Sequence, residues 1–121
     1  MQWDKIMDAA RHLSKEMLSA AEEYKKEERK KSFLGEAEKF LQYYIFKEYD
    51  ETAMNRYLKE MANNPPPRSK QTQGYYKKIR HIWQRWSPKC GLTGIDKARA
   101  WGWGVRMAMS RLRLPQPQQH L

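Results

Sequence analysis

The chain has 121 residues, a formal net charge of +10, 12% aromatic residues and a mean hydropathy of −1.04. This length suits one core, since two would each be marginal, and five Trp with seven Met carry enough apolar surface to exclude disorder away from the ends. No apolar run approaches the roughly 20 residues of a membrane span, Met1-Gln2-Trp3-Asp4 lacks the regions of a secretory leader, and the lone Cys90 excludes an internal disulfide, so the expectation is a cytoplasmic protein.

From Trp3 to about Lys31, Trp3, Ile6, Ala10, Leu13, Met17, Ala20 and Tyr24 recur at steps of three and four, which predicts one long amphipathic helix. Glu22 with Lys26 and Glu27 with Lys31 are i,i+4 pairs of its solvated face. Phe33, Leu34, Ala37, Phe40, Leu41, Tyr44 and Ile45 predict a second helix capped by Ser32. Asp50 is the expected cap of a third, which carries Met54, Tyr57, Leu58 and Met61.

Asn63-Asn64-Pro65-Pro66-Pro67 cannot continue a helix, because proline has no amide hydrogen and biases its predecessor toward extended backbone. Residues 63–69 are therefore a connector inside a single helical domain over 1–114. Charge changes sign across it. Residues 1–60 hold 12 Lys/Arg against 13 Asp/Glu, net −1, whereas residues 61–121 hold 12 Lys/Arg against Asp96 alone, net +11. A field this one-sided attracts polyanions and does nothing for folding.

After the connector, Ser69 is the expected cap of a fourth helix whose core face reads Tyr75, Ile79, Ile82 and Trp86, with Tyr76 and Trp83 alongside. A break is predicted over Ser87-Pro88-Lys89-Cys90-Gly91. Thr93-Gly94-Ile95-Asp96 then has the form of a capping box that opens a fifth helix with the seam Ile95, Ala98, Gly102, Val105, Met109 and Leu112. Residues 115–121 are expected to be a disordered tail. No strand pattern occurs, so the predicted fold class is all-α, a bundle of about five helices.

No catalytic constellation is legible, and His12, His81, His120 and Cys90 have no metal-ligand spacing; neither enzyme activity nor a cofactor or metal is expected. The candidate surface is cationic. Burying the fourth helix's core face gathers Lys77, Lys78, His81 and Arg85 on the opposite side. On the fifth helix Arg99, Arg106 and Arg113 stand seven residues apart, with Trp103 and Ser110 between them, a set able to pair guanidinium–phosphate contacts with stacking. Its alternative role is cover for the core. Trp101 is read as core, Trp103 as either core or contact, and Arg68 and Lys70 as loop cations that either reach a backbone or only solubilise the loop.

Three stretches, Phe33-Leu34-Gly35-Glu36-Ala37 running into Phe40-Leu41-Gln42-Tyr43-Tyr44, Asn64 to Gln73 running into Tyr75-Tyr76-Lys77-Lys78-Ile79-Arg80, and Ala98 to Arg106, together resemble the small helical subunits of type III CRISPR effector complexes over residues 33–110. The resemblance implies a non-catalytic subunit, present in several copies among other subunits of an effector complex and touching guide and target RNA backbones without reading sequence. Carried over by position, it implies contacts from Arg68, Lys70, Lys77, Lys78, Arg80, Arg99 and Arg106. The expected partner is RNA, with DNA as the other polyanion. The alternatives are a stand-alone DNA-binding protein using its fourth or fifth helix for recognition, and a structural adaptor whose positive half docks an acidic protein.

Overall fold

Apolar residues at three- and four-residue steps bury one face of every helix in the computed structural model, which describes residues 2–64 and 70–113. Five helices follow in chain order: α1 (Trp3–Glu22), α2 (Glu27–Phe46), α3 (Glu51–Asn63), α4 (Lys70–Lys89) and α5 (Gly94–Arg113). Among the described residues there is no strand, and the all-α bundle expected from periodicity is what forms. Ser69, Arg68 and the three prolines lie outside the described residues, as do Leu114 and the 115–121 tail.

The first boundary differs from expectation. Periodicity predicts one helix to about Lys31, yet α1 ends at Glu22 and Lys26 is extended before α2 begins at Glu27. Nothing local breaks this Glu/Lys-rich stretch. The turn is held by Tyr24, whose ring packs edge-on against Tyr75 at 5.3 Å and beside Phe33 at 5.9 Å, with the Arg29 guanidinium 4.9 Å above it. The packing of this partly buried ring accompanies a break in a stretch otherwise made of good helix formers. Ser32 consequently lies inside α2 rather than capping it, and Glu27 pairs with Lys30 at 2.8 Å. Asp50 does cap α3, accepting the Ala53 amide at 3.1 Å. The break predicted at Ser87 falls later: α4 carries Pro88 in its last turn and ends one residue beyond it, at Lys89, where the proline removes an i→i−4 hydrogen bond.

α1 packs most extensively on α5 and α3 on α4, while α2 touches both α5 and α4, and α1 also meets α4. Thus α1, α5, α2 and α4 form a ring in that order, with α3 laid against α4. The near-neutral and basic halves of the sequence are interleaved in space. One core draws on all five helices, its centre an aromatic cluster in which Trp83 lies 5.1 Å from Phe40 and 5.4 Å from Trp101. Two of the buried indoles donate to backbone carbonyls, Trp86 to Ala9 O and Trp101 to Ala37 O, each at 2.9 Å. Trp101 is core, as expected.

The closest approach is at Gly104. A Cβ there would stand 2.7 Å from Leu13 Cδ2 and 3.0 Å from the Ala10 carbonyl oxygen, so the absence of a side chain sets the α1–α5 distance. Of the predicted α5 seam, Ala98, Gly102 and Val105 are buried, Met109 and Leu112 are only partly covered, and Ile95 is exposed; Ala100, Trp101, Gly104 and Ala108 join the buried face. Ile45 and Trp3, also expected inside, are exposed too.

Candidate nucleic-acid interface

Lys77, Lys78, His81 and Arg85 do share one side of α4, with Lys77, His81 and Arg85 exposed and Lys78 half-buried, and that side forms one wall of a groove whose other wall is α1. α1 contributes Lys15, Glu16, Ser19, Ala20 and Glu23 to this groove of about 740 Å³, with Ile82 of α4 at its base. A second cleft of about 640 Å³ shares Glu16 and Arg85 with it and continues past His12, Asp8 and Lys5 on α1 and Trp86, Lys89, Cys90 and Gly91 at the end of α4. Together they make one groove along the α1/α4 edge. On α4 it runs from Lys77 to Lys89, about 18 Å at the helical rise.

Charge in the groove is mixed but net positive, with Lys5, Lys15, Lys77, Lys78, Arg85 and Lys89 against Asp8, Glu16 and Glu23. Two cations have partners from the opposite helix. Lys78 Nζ stands 2.6 Å from Glu23 Oε1, and Arg85 makes a short ion pair with Glu16 that spans the groove where its two parts meet. Among the described residues, Lys5, Lys15, Lys77 and Lys89 are exposed and in no ion pair. At the Lys89 end of the groove Gly91 adopts φ +70, and a Cβ on it would fall 2.9 Å from Lys5 Cε. Its bareness lets the Lys5 stem lie against the loop.

Lys5, His12, Lys15 and Lys89 were not among the cations singled out from sequence. The spacing of Lys5 and His12, one heptad on the flank of α1's apolar face, was visible, but which flank meets α4 is settled only by packing.

The other expected site residues fall elsewhere. Lys70 is exposed at the first turn of α4, Arg80 is half-buried, and neither lines the groove. Arg113 is exposed at the end of α5. Arg99, Trp103 and Arg106 come together across the ring, around a separate groove of about 250 Å³ between α2 and α5. Arg99 pairs with Asp96 at 3.3 Å and Arg106 with Glu38 at 3.9 Å. Trp103 is exposed, so of its two readings the core one fails. α4 packs against α1, α2 and α3, and α5 against α1 and α2.

A polar network unread in the sequence ties four helices together. Lys97, only 6% exposed, donates to Ser87 Oγ at 2.7 Å and to Glu51 Oε1 at 3.0 Å, while the Tyr44 hydroxyl donates to the other Glu51 oxygen. With its ammonium held by a carboxylate, Lys97 acts as a clip between helices. Burial, and then the hydrogen bond to Glu51, raises the Tyr44 pKa far above the ordinary phenol value; burial likewise raises Tyr76, which shares a hydroxyl contact with Tyr57 at 3.4 Å. Burial beside Tyr75 pushes Tyr24 up to about 12. Among the described residues no three His, Cys, Asp or Glu side chains gather as metal ligands would, and no helix is long and apolar enough to cross a membrane.

Comparisons with family models, curated proteins and solved structures give no match for this chain. Its functional reading rests on its own residues.

Proposed function

We propose that the chain is a non-catalytic, RNA-binding subunit of a larger ribonucleoprotein, holding the phosphate backbone in the α1/α4 groove without reading sequence. The observation that carries this reading is the alignment, along one groove, of four unpaired lysines, Lys5, Lys15, Lys77 and Lys89, with Lys78 and Arg85 between them. Ammonium groups on long stems suit a polyanion whose charges are spaced along a track, and they carry no base-specific geometry. The arrangement resembling type III CRISPR small subunits favours RNA as the polyanion and a multi-protein setting. The Glu16 and Glu23 carboxylates hold two of the cations in place and moderate the total charge of the groove.

Amide chemical shifts followed during titration with a single-stranded RNA homopolymer test the placement. Perturbations are expected along Lys5–Glu23 and Lys77–Gly91. Perturbations centred on the outer face of α5, or spread evenly over the surface, would remove the groove from consideration.

A further inference from the structure

Across the ring from the basic groove lies a surface of different chemistry. Five large apolar side chains are exposed among the described residues, and three of them, Ile45 (42%), Ile95 (48%) and Trp103 (41%), line the α2/α5 groove. Phe46, 76% exposed, stands next to Ile45 at the end of α2. Scattered single apolar residues need no explanation, but a contiguous set around a concavity marks an interaction surface.

Backbone strain helps build that surface. α2 closes with the Tyr49 amide donating to Tyr44 O at 2.9 Å, and both Glu48 (φ 54) and Tyr49 (φ 63) sit in the left-handed region without being glycine. Such conformations are disfavoured for a bulky residue. They set Tyr49 in the groove wall, its ring edge-on to Tyr44 at 5.4 Å.

We propose that this groove docks an acidic, amphipathic helix of a protein partner. Its lining contains two guanidiniums, Arg99 and Arg106, and no carboxylate. Each guanidinium has five N–H donors and makes one contact with a carboxylate of its own chain, which leaves donors for a partner's Glu or Asp. The Arg106 guanidinium also lies 5.9 Å from the Trp103 ring centre, so cation and exposed indole form one edge of the site. Large apolar side chains on one face of a helix fill such a groove while acidic residues on its flank meet the arginines. A second copy of the chain is a poorer occupant, because it would bring the same arginines face to face between two molecules of net charge +10. RNA fits less well also: the aliphatic walls at Ile45 and Ile95 offer phosphates nothing, whereas an amphipathic helix fills them with its apolar face. The proposal is independent of the RNA reading of the α1/α4 groove.

The test uses the full chain and a fluorescently labelled, stapled helical peptide with Leu and Phe on one face and Glu along its flanks. Two control peptides are a scrambled sequence of the same charge and a version with Lys in place of Glu. Binding is measured by anisotropy at about 0.15 M salt, where diffuse attraction is damped beyond about 8 Å. The acidic amphipathic peptide is expected to bind at least about tenfold tighter than either control, and Ile95→Glu and Trp103→Ser are each expected to weaken it about tenfold or more, as loss of an anchor residue does. Ile45→Glu tests the opposite wall should either α5 variant melt early. Lys15→Gln with Lys77→Gln, in the other groove, should leave peptide affinity unchanged. Equal binding of the scrambled peptide, or full affinity in folded Ile95→Glu and Ile45→Glu, overturns the proposal. A concentration-dependent dimer abolished by Trp103→Ser would assign the surface to a second copy, and loss of RNA affinity in that variant would assign it to RNA; either result overturns it too.

Discussion

Replacing Lys15 and Lys77 by glutamine removes two of the four unpaired cations that line the α1/α4 groove. Lys78 and Arg85 are less informative targets, since their substitution would release Glu23 and Glu16 from their ion pairs. If the four unpaired lysines each neutralise one phosphate, counterion release on a single strand gives a log-log salt slope of about −2.8, and the double variant about −1.4. At about 0.1 M salt each such contact is worth roughly a factor of five, so the pair should weaken binding about 25-fold. The control is Arg56→Gln with Lys59→Gln, two exposed residues of α3 that line neither part of the groove. It removes the same two charges, and a diffuse, screened effect should stay within about threefold. Affinity for labelled single-stranded RNA is measured by anisotropy across a salt series, after melting curves establish that both variants fold. Equal losses in the two variants, or a wild-type slope in Lys15→Gln/Lys77→Gln, would refute the groove and leave only attraction to total charge.

Gly104→Ala should be destabilising although alanine is the better helix former, because its Cβ meets the Leu13 Cβ and the Ala10 carbonyl oxygen; a net loss of about 1–2 kcal/mol, or roughly 5 °C in melting temperature, is expected. An unchanged or higher melting temperature would show that α1 and α5 separate easily. In the buried network, Lys97→Met keeps the stem's volume and should cost little, whereas Glu51→Ala strands both the Lys97 ammonium and the Tyr44 hydroxyl and should cost about 2–3 kcal/mol in urea unfolding. The reverse order would show that the Lys97 ammonium, not the Glu51 carboxylate, is the member the network cannot lose. Alkaline stability follows from the tyrosines: Tyr24 is pushed up to about 12 from an unfolded value near 10, so the fold holds its proton more tightly. That contribution is intact below about pH 10 and lost as pH rises toward 12. Phenolate absorbance should therefore rise together with loss of helical ellipticity, and full ionisation of all seven tyrosines in a still-helical protein would contradict it.

Local order was legible because it depends on neighbours three and four residues away. Those contacts fixed the number of helices, the Asp50 cap, the buried faces of α2 to α4 apart from Ile45, and the core role of Trp101. The groove was only half legible. Lys77, Lys78 and Arg85 were found on one side of α4, but their partners Glu23 and Glu16 are 55 and 69 residues distant in sequence, and no periodicity carries that information. Packing alone decided that α1 supplies Lys5 and Lys15 to the same groove and that the chain turns after Glu22 to seat Tyr24. It also left Ile95, in the first turn of α5, outside the core that takes Ala98, Gly102 and Val105. The sequence by itself determined which residues prefer a helix and which face of each helix seeks an apolar neighbour; tertiary structure decided which helices meet, since a charge or ring finds its partner only after distant segments share a surface.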